Sequence, residues 1–251
     1  MVSKSRVTIL VKAYPQPSKK HAETVCCAGI DSEGNWKRLF PVRFRQLSEE
    51  QAFKRWNIIS FEYSRPKGDN RAESCRVHED SIGVVGKVKR KDEKTDLIDR
   101  VIVSSEKEAI GCNYSLAAIR PRNVRLSYKR RDASEIEVAR KSFEDLARQK
   151  TMFDKELAAL EPCPIRFTMH YDDADGPHNK TCADWETHAT FKKFSQLYGE
   201  KQAIEHLQKT YCEDYVKAGL VFALGNIAKR PQTWQLLGIF PVEPAVQPSL
   251  I

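Results

Sequence analysis

The chain has 251 residues, with 42 Lys+Arg against 34 Asp+Glu and a formal net charge of +8. It is long enough to bury a sizeable core in one large domain or two small ones. No apolar run approaches the roughly 20 residues that cross a bilayer, and the short run before Lys12 does not make a secretory signal. Seven cysteines without paired spacing point to reduced thiols and a cytoplasmic protein.

The charge is unevenly placed. Residues 1–131 carry a net +12 and residues 132–251 a net −4. This asymmetry predicts a polyanion partner for the first half. Nucleic acid is favoured over a membrane surface, because no amphipathic basic helix accompanies the charge. The acidic half suits a protein-contact or regulatory unit.

In chain order, Arg6 to Ala13 reads as a first strand, broken by Tyr14-Pro15-Gln16-Pro17-Ser18. Val25 to Ile30 is an apolar strand, and Asp31 to Asn35 is a hairpin loop with Gly34 at positive φ. The return strand, Trp36 to Arg45, interleaves Trp36, Phe40 and Phe44 with Lys37, Arg38, Arg43 and Arg45. Pro41 predicts an edge position or a bend. Rings that stack on bases beside guanidinium groups that meet phosphates are the equipment of a nucleic-acid-binding β-barrel.

Ser48 and Gln51 stand at capping-box spacing and predict a short helix over 48–56. Asn57 to Ser64 reads as a strand, Pro66 to Asn70 as a turn, residues 71–78 as extended and 82–88 as a short apolar run. Residues 87–94 form a solvated charge run. Residues 97–103 fit helix or strand equally, and Ser105 with Glu108 predicts a helix start. Residues 115–131 hold a second basic strand. Val124, Leu126 and Tyr128 alternate there with Arg125, Ser127 and Lys129, after Arg120 and Arg122. Two such strands predict a shared groove for a phosphate backbone in a basic domain over 1–131.

A linker helix is expected over 132–162, with Ile136, Ala139, Phe143, Leu146 and Phe153 at helical spacing. An acidic α+β domain follows over 163–251. Its expected elements are a strand over 165–171, an acidic turn, a helix from Asp184 to Tyr198 stopped by Gly199, a helix over 202–216, and a closing pair of strands over 220–225 and 234–241. No internal sequence repeat is evident.

His178, Asp184 and Glu186, close after Asp172, Asp173 and Asp175, are the candidate catalytic set. Hard oxygen ligands with a histidine would hold magnesium or manganese for a nuclease. The competing reading makes Asp184 a helix N-cap and Trp185 core. Cys163, His170, His178 and Cys182 lack the close pairing of a structural zinc site, so zinc is disfavoured. Cys26 and Cys27 point to opposite faces of one strand. No phosphate-cradling glycine motif is present, and no cofactor is assigned.

The segment CCAGIDSEGNWKRLFPV resembles the bacterial dual-OB-type domains, in which a strand ending Cys-x-Ala-Gly-Ile precedes a loop and Trp-x-Arg. Tyr14-Pro15-Gln16-Pro17-Ser18 and Asp184-Trp185-Glu186 are also similar to features of a set of uncharacterised bacterial proteins. The resemblance implies an α+β chain in which an N-terminal OB-like β-barrel is joined by a helix to a C-terminal α+β unit, in a bacterial defence or mobile-element setting. The leading expectation is a nucleic-acid-binding protein using Trp36, Lys37, Arg38, Phe40, Arg43, Arg45, Arg120, Arg122, Arg125 and Tyr128. The alternatives are a metal-dependent nuclease fed by the barrel and an interaction subunit of a larger complex.

Overall fold

The computed structural model describes residues 2–18, 22–148, 158–228 and 230–245, with the backbone alone at 16–18 and 22–23. Phe153 of the expected linker helix lies outside this set. The first half is mainly β. Its strands are β1 (Ser3–Lys12), β2 (Gln16–Ser18), β3 (Ala22–Ile30), β4 (Trp36–Val42), β5 (Asn57–Ser64) and β6 (Ser74–Lys87). The β3–β4 hairpin forms as its sequence predicts. Gly34 takes φ 88, while Asp31 Oδ1 accepts from the backbone N–H groups of Glu33 and Asn35 and closes the turn.

Strand β1 pairs with β3 and with β5; β3 continues to β4, β4 runs parallel to β6, and β6 pairs back to β5. The pairings therefore return to the strand where they began. One strand can serve two partners because its register shifts between Ile9 and Val11, which bends it.

Helix α1 (Lys91–Asp99) leads from the first half into the second, which opens with α2 (Glu106–Gly111). Strands β7 (Leu116–Ile119) and β8 (Arg122–Arg130) follow, then α3 (Ala133–Arg148), β9 (Ile165–Asp173), β10 (Gly176–Thr181), α4 (Trp185–Tyr198), α5 (Glu200–Lys209), β11 (Leu220–Ile227) and β12 (Arg230–Pro241). Strand β8 pairs with β9, β9 with β10, and β11 with both β12 and β7. A parallel bridge, Cys182 to Leu236, joins the end of β10 to β12. Taking β7 and β8 as one strand broken at Pro121, these pairings follow the order of the first half. A repeat invisible as a sequence period is present as topology.

Among the described residues, three apolar clusters form the core. One fills the first half with Val7, Ile9, Cys27, Leu39, Ile59 and Phe61. Another fills the second half around Phe167, Met169, Phe191, Phe222 and Leu236. The third is a seam in which Leu10, Ala28 and Ile30 meet Leu116, Val221, Leu237 and Phe240. Strand β1 thus sends Val7 and Ile9 to the first cluster and Leu10 and Val11 to the seam, the change falling at its register shift.

Several expectations are corrected. The strand after Trp36 ends at Val42, and Phe44–Gln46 is a 3-10 turn, so Arg43 and Arg45 leave the sheet. Ser48 and Gln51 do exchange both capping bonds, but Trp56 takes φ 70 and the capping pair closes turns instead of opening a helix. Within the stretches 71–78 and 82–88, residues 74–78 and 82–87 belong to one strand, β6, residues 71–73 lie in the turn before it, and part of the charged run at 87–94 is the start of α1. The basic strand over 115–131 pairs with β9 and β11 of the second half. It does not join β4.

Gly29 lies where β1 crosses β3. A Cβ there would fall inside contact distance of the Thr8 carbonyl oxygen, a backbone atom that cannot swing aside. Gly29→Ala is therefore expected to destabilise the protein by about 1–3 kcal/mol through overpacking. A urea titration would read this as a lower midpoint; an unchanged midpoint would show that β1 and β3 can separate at no cost.

Candidate nucleic-acid interface

Alternate residues of β4 form its outward row: Trp36, Arg38 and Phe40. The row is graded. Trp36 packs against the seam, Arg38 is 5% exposed and Phe40 39%. Across the parallel pairing, Ser74 stands beside Arg38 and Arg76 beside Phe40, and Arg76 is exposed. The second half covers one end of this row and leaves the other open.

At that boundary lies a cleft of about 260 Å³. Its floor and near wall are Cys26, Arg38 and Phe40; Pro66 and Arg71 come from the β5–β6 loop, and Asn226 from the β11–β12 hairpin. Arg71 is held by Asp69 through Nε at 2.9 Å and Nη2 at 2.7 Å, and its Nη1 donates to the Asn226 carbonyl at 3.1 Å. Burial opposes the Asp69 carboxylate. Hydrogen bonds from Arg71 and Ser74 outweigh that and bring its pKa down to about 2. This loop is consequently pinned to the second half by an arginine that stays charged.

Arg38 is placed differently. Its Nη2 donates to the Ser115 carbonyl at 2.8 Å and to the Ser115 hydroxyl at 3.2 Å. Among the described residues its Nη1 meets only Cys26 Sγ, at 3.7 Å, and its Nε has no hydrogen-bond acceptor, with Glu73 Oε1 3.9 Å away. A guanidinium this buried normally fills its donors.

The other expected contacts are dispersed. Lys37 pairs with Asp31 at 3.6 Å and Arg43 with Glu79 at 2.8 Å. Arg45 donates to the Ala158 carbonyl. Arg120 reaches Asp99 and the Val242 carbonyl, and Arg122 the Asp173 carbonyl. Arg125 and Tyr128 are exposed on β8, in the second half's sheet. The single groove expected from two basic strands is therefore split between the two halves. Arg71, Arg76 and Asn226 were missed, since only the fold brings the β5–β6 loop and the β11–β12 hairpin beside Phe40.

The candidate catalytic set is not assembled. His178 Nε2 lies 2.9 Å from Asp173 Oδ1, and its ring stacks on Tyr171. Asp184 is fully buried and caps α4, accepting from Thr187 N at 3.2 Å and Thr187 Oγ1 at 3.0 Å. Its other oxygen accepts from Arg55 at 3.2 Å, and Glu186 lies 3.5 Å from Arg55 and 3.7 Å from Lys12. Of the zinc candidates, Cys163 and Cys182 are buried thiols with pKa raised by burial to about 11 and about 12. His170 bonds Ser127 Oγ at 2.7 Å. Among the described residues, no three His, Cys, Asp or Glu side chains are placed to hold a metal ion. No helix among them is long and apolar enough to cross a membrane.

Two family models match the chain. One, described as Domain of unknown function (DUF8758), covers residues 3–101; the other, described as Domain of unknown function (DUF8757), covers residues 98–250. Their boundary falls at the end of α1, where the strand pairing also passes from one half to the other. No curated protein matches.

The buried joint between the halves should show itself in the pH dependence of folding. Burial raises the Asp184 carboxyl from its ordinary 3.8 to about 6, against the pull of Arg55. The folded state then binds more protons than the unfolded chain within that window, so stability from this group falls as pH rises through it. Asp184→Asn keeps a good capping side chain and should flatten the fall. Urea midpoints across the window test this, and an identical slope in the variant would place the titration elsewhere.

Proposed function

The chain belongs to the family defined by the DUF8757 domain, and we propose that it binds nucleic acid through the open end of the β4 row. The observation that carries this reading is Phe40, exposed beside the cation Arg76 and at the lip of the Arg38 cleft. A ring that is 39% exposed offers surface against which a base can pack, and the adjacent guanidinium meets the phosphate.

The order of strand pairing supports an OB-like barrel for the first half, with β1, β3, β4, β5 and β6 as its five strands and β4–β6 as the parallel closure. In OB-folds the second and third strands, with the loop between the fourth and fifth, form the oligonucleotide-binding face. Here those are β3, β4 and residues 65–73, the elements around the cleft. The second half, paired in the same order, then acts as a protein wall across part of that face. The nuclease alternative gains nothing from the geometry, because His178 and Asp184 are engaged with separate partners.

Fluorescence anisotropy with labelled single strands over a salt series tests the proposal. Affinity should fall linearly with salt on logarithmic axes. Phe40→Ala should weaken binding by about 1–3 kcal/mol, the range for one base–ring stack, with little change in thermal midpoint. Arg76→Glu should also lower the salt slope. Absence of binding at low salt to DNA and RNA alike would defeat the reading.

A further inference from the structure

We infer that the cleft between the two halves takes a single unstacked base by its keto edge, with Asn226 of the second half as a specificity-determining residue. This rests on the nucleic-acid reading above and goes beyond it, by naming what enters the cleft and which half discriminates.

Size is the first argument. At about 260 Å³ the cleft lies below the roughly 300–1,000 Å³ of pockets for drug-sized ligands. It suits a planar group the size of one base and excludes a stacked pair. Phe40 supplies an aromatic wall; Pro66 and Ile227 supply apolar surface on the two loops that flank the opening. A bare phosphate is poorly served by such walls, whereas a base face is well served. A base within a duplex would first have to leave its stack, so the cleft selects single strands.

The polar groups are the second argument, and they are donors. Both Asp69 oxygens are occupied by Arg71 and Ser74. Asn226 directs its backbone carbonyl to Arg71, with its side-chain oxygen 3.4 Å from the same nitrogen. Its side-chain nitrogen has no partner among the described residues. On the floor, Arg38 is 5% exposed; among the described residues its Nε has no hydrogen-bond acceptor, Glu73 Oε1 being 3.9 Å away, and its Nη1 meets only a sulfur. What these donors call for is a carbonyl oxygen. Thymine, uracil and guanine present one at their edges, while adenine has none and offers its N7 acceptor only beside an amino group that would face these donors.

The experiment is a binding comparison on the wild-type full chain, using oligothymidine, oligoadenosine, an abasic strand of equal length, and inorganic phosphate as competitor. Oligothymidine should bind about tenfold tighter than oligoadenosine, the scale of one good edge contact, and at least as far above the abasic strand. Asn226→Ala should bring the thymidine-to-adenosine ratio toward one by weakening oligothymidine alone. Equal binding of oligothymidine and the abasic strand would overturn the base-entry inference while leaving nucleic-acid binding intact. Equal binding of the two homopolymers would overturn the keto preference. Displacement by inorganic phosphate would assign the donors to an anion and overturn it as well. Failure of every strand to bind would overturn both readings. The wild-type arms decide the matter even if the Asn226 variant does not fold.

Discussion

Everything in this molecule depends on the apolar seam between its halves. Leu10, Val11, Ala28 and Ile30 on one side meet Leu116, Ala118, Val221, Ala223, Leu237 and Phe240 on the other, all buried. At about 1.5–3 kcal/mol for each large aliphatic side chain removed from water, the seam contributes as much as a small core. It fixes the relative placement of β4 and the β11–β12 hairpin. It also decides that Trp36 lies partly buried while Phe40 keeps 39% of its surface exposed.

Around that apolar contact runs a set of arginines that reach from the first half into the second. Arg38 donates to Ser115, Arg71 to Asn226, and Arg55 to the Ile239 carbonyl and Asp184. The fork of donors on a guanidinium suits carbonyl oxygens at strand ends, and its weak hydration makes burial less costly than for lysine. Part of the positive excess of residues 1–131 is therefore structural.

Local chemistry made much of the fold legible. The β3–β4 hairpin follows from an aspartate-closed turn with Gly34. The Ser105 cap of α2 and the Asp184 cap of α4 follow from side chains that bond their own helix starts. What could not be read was partnership. A strand such as β8, with Leu126 inward and Arg125 outward, has the same alternation whichever sheet accepts it, so its assignment beside β4 had no local signal to correct it. The site was half legible for a related reason. Phe40 and Arg38 stand in a recognisable aromatic–cationic strand, but Asn226 faces them across more than 180 residues of chain, a proximity produced by the seam alone.

The seam also constrains how these two modules can be inherited. A first half separated from the second would present Leu10, Ala28, Ile30 and the flank of Trp36 to water, with the backbone carbonyls that receive Arg38 and Arg55 left behind. A contiguous uncovered patch of that kind favours aggregation over an independent life. Recombination that moved either module into an unrelated protein would thus have to bring its companion, or an equally shaped apolar cover, along with it.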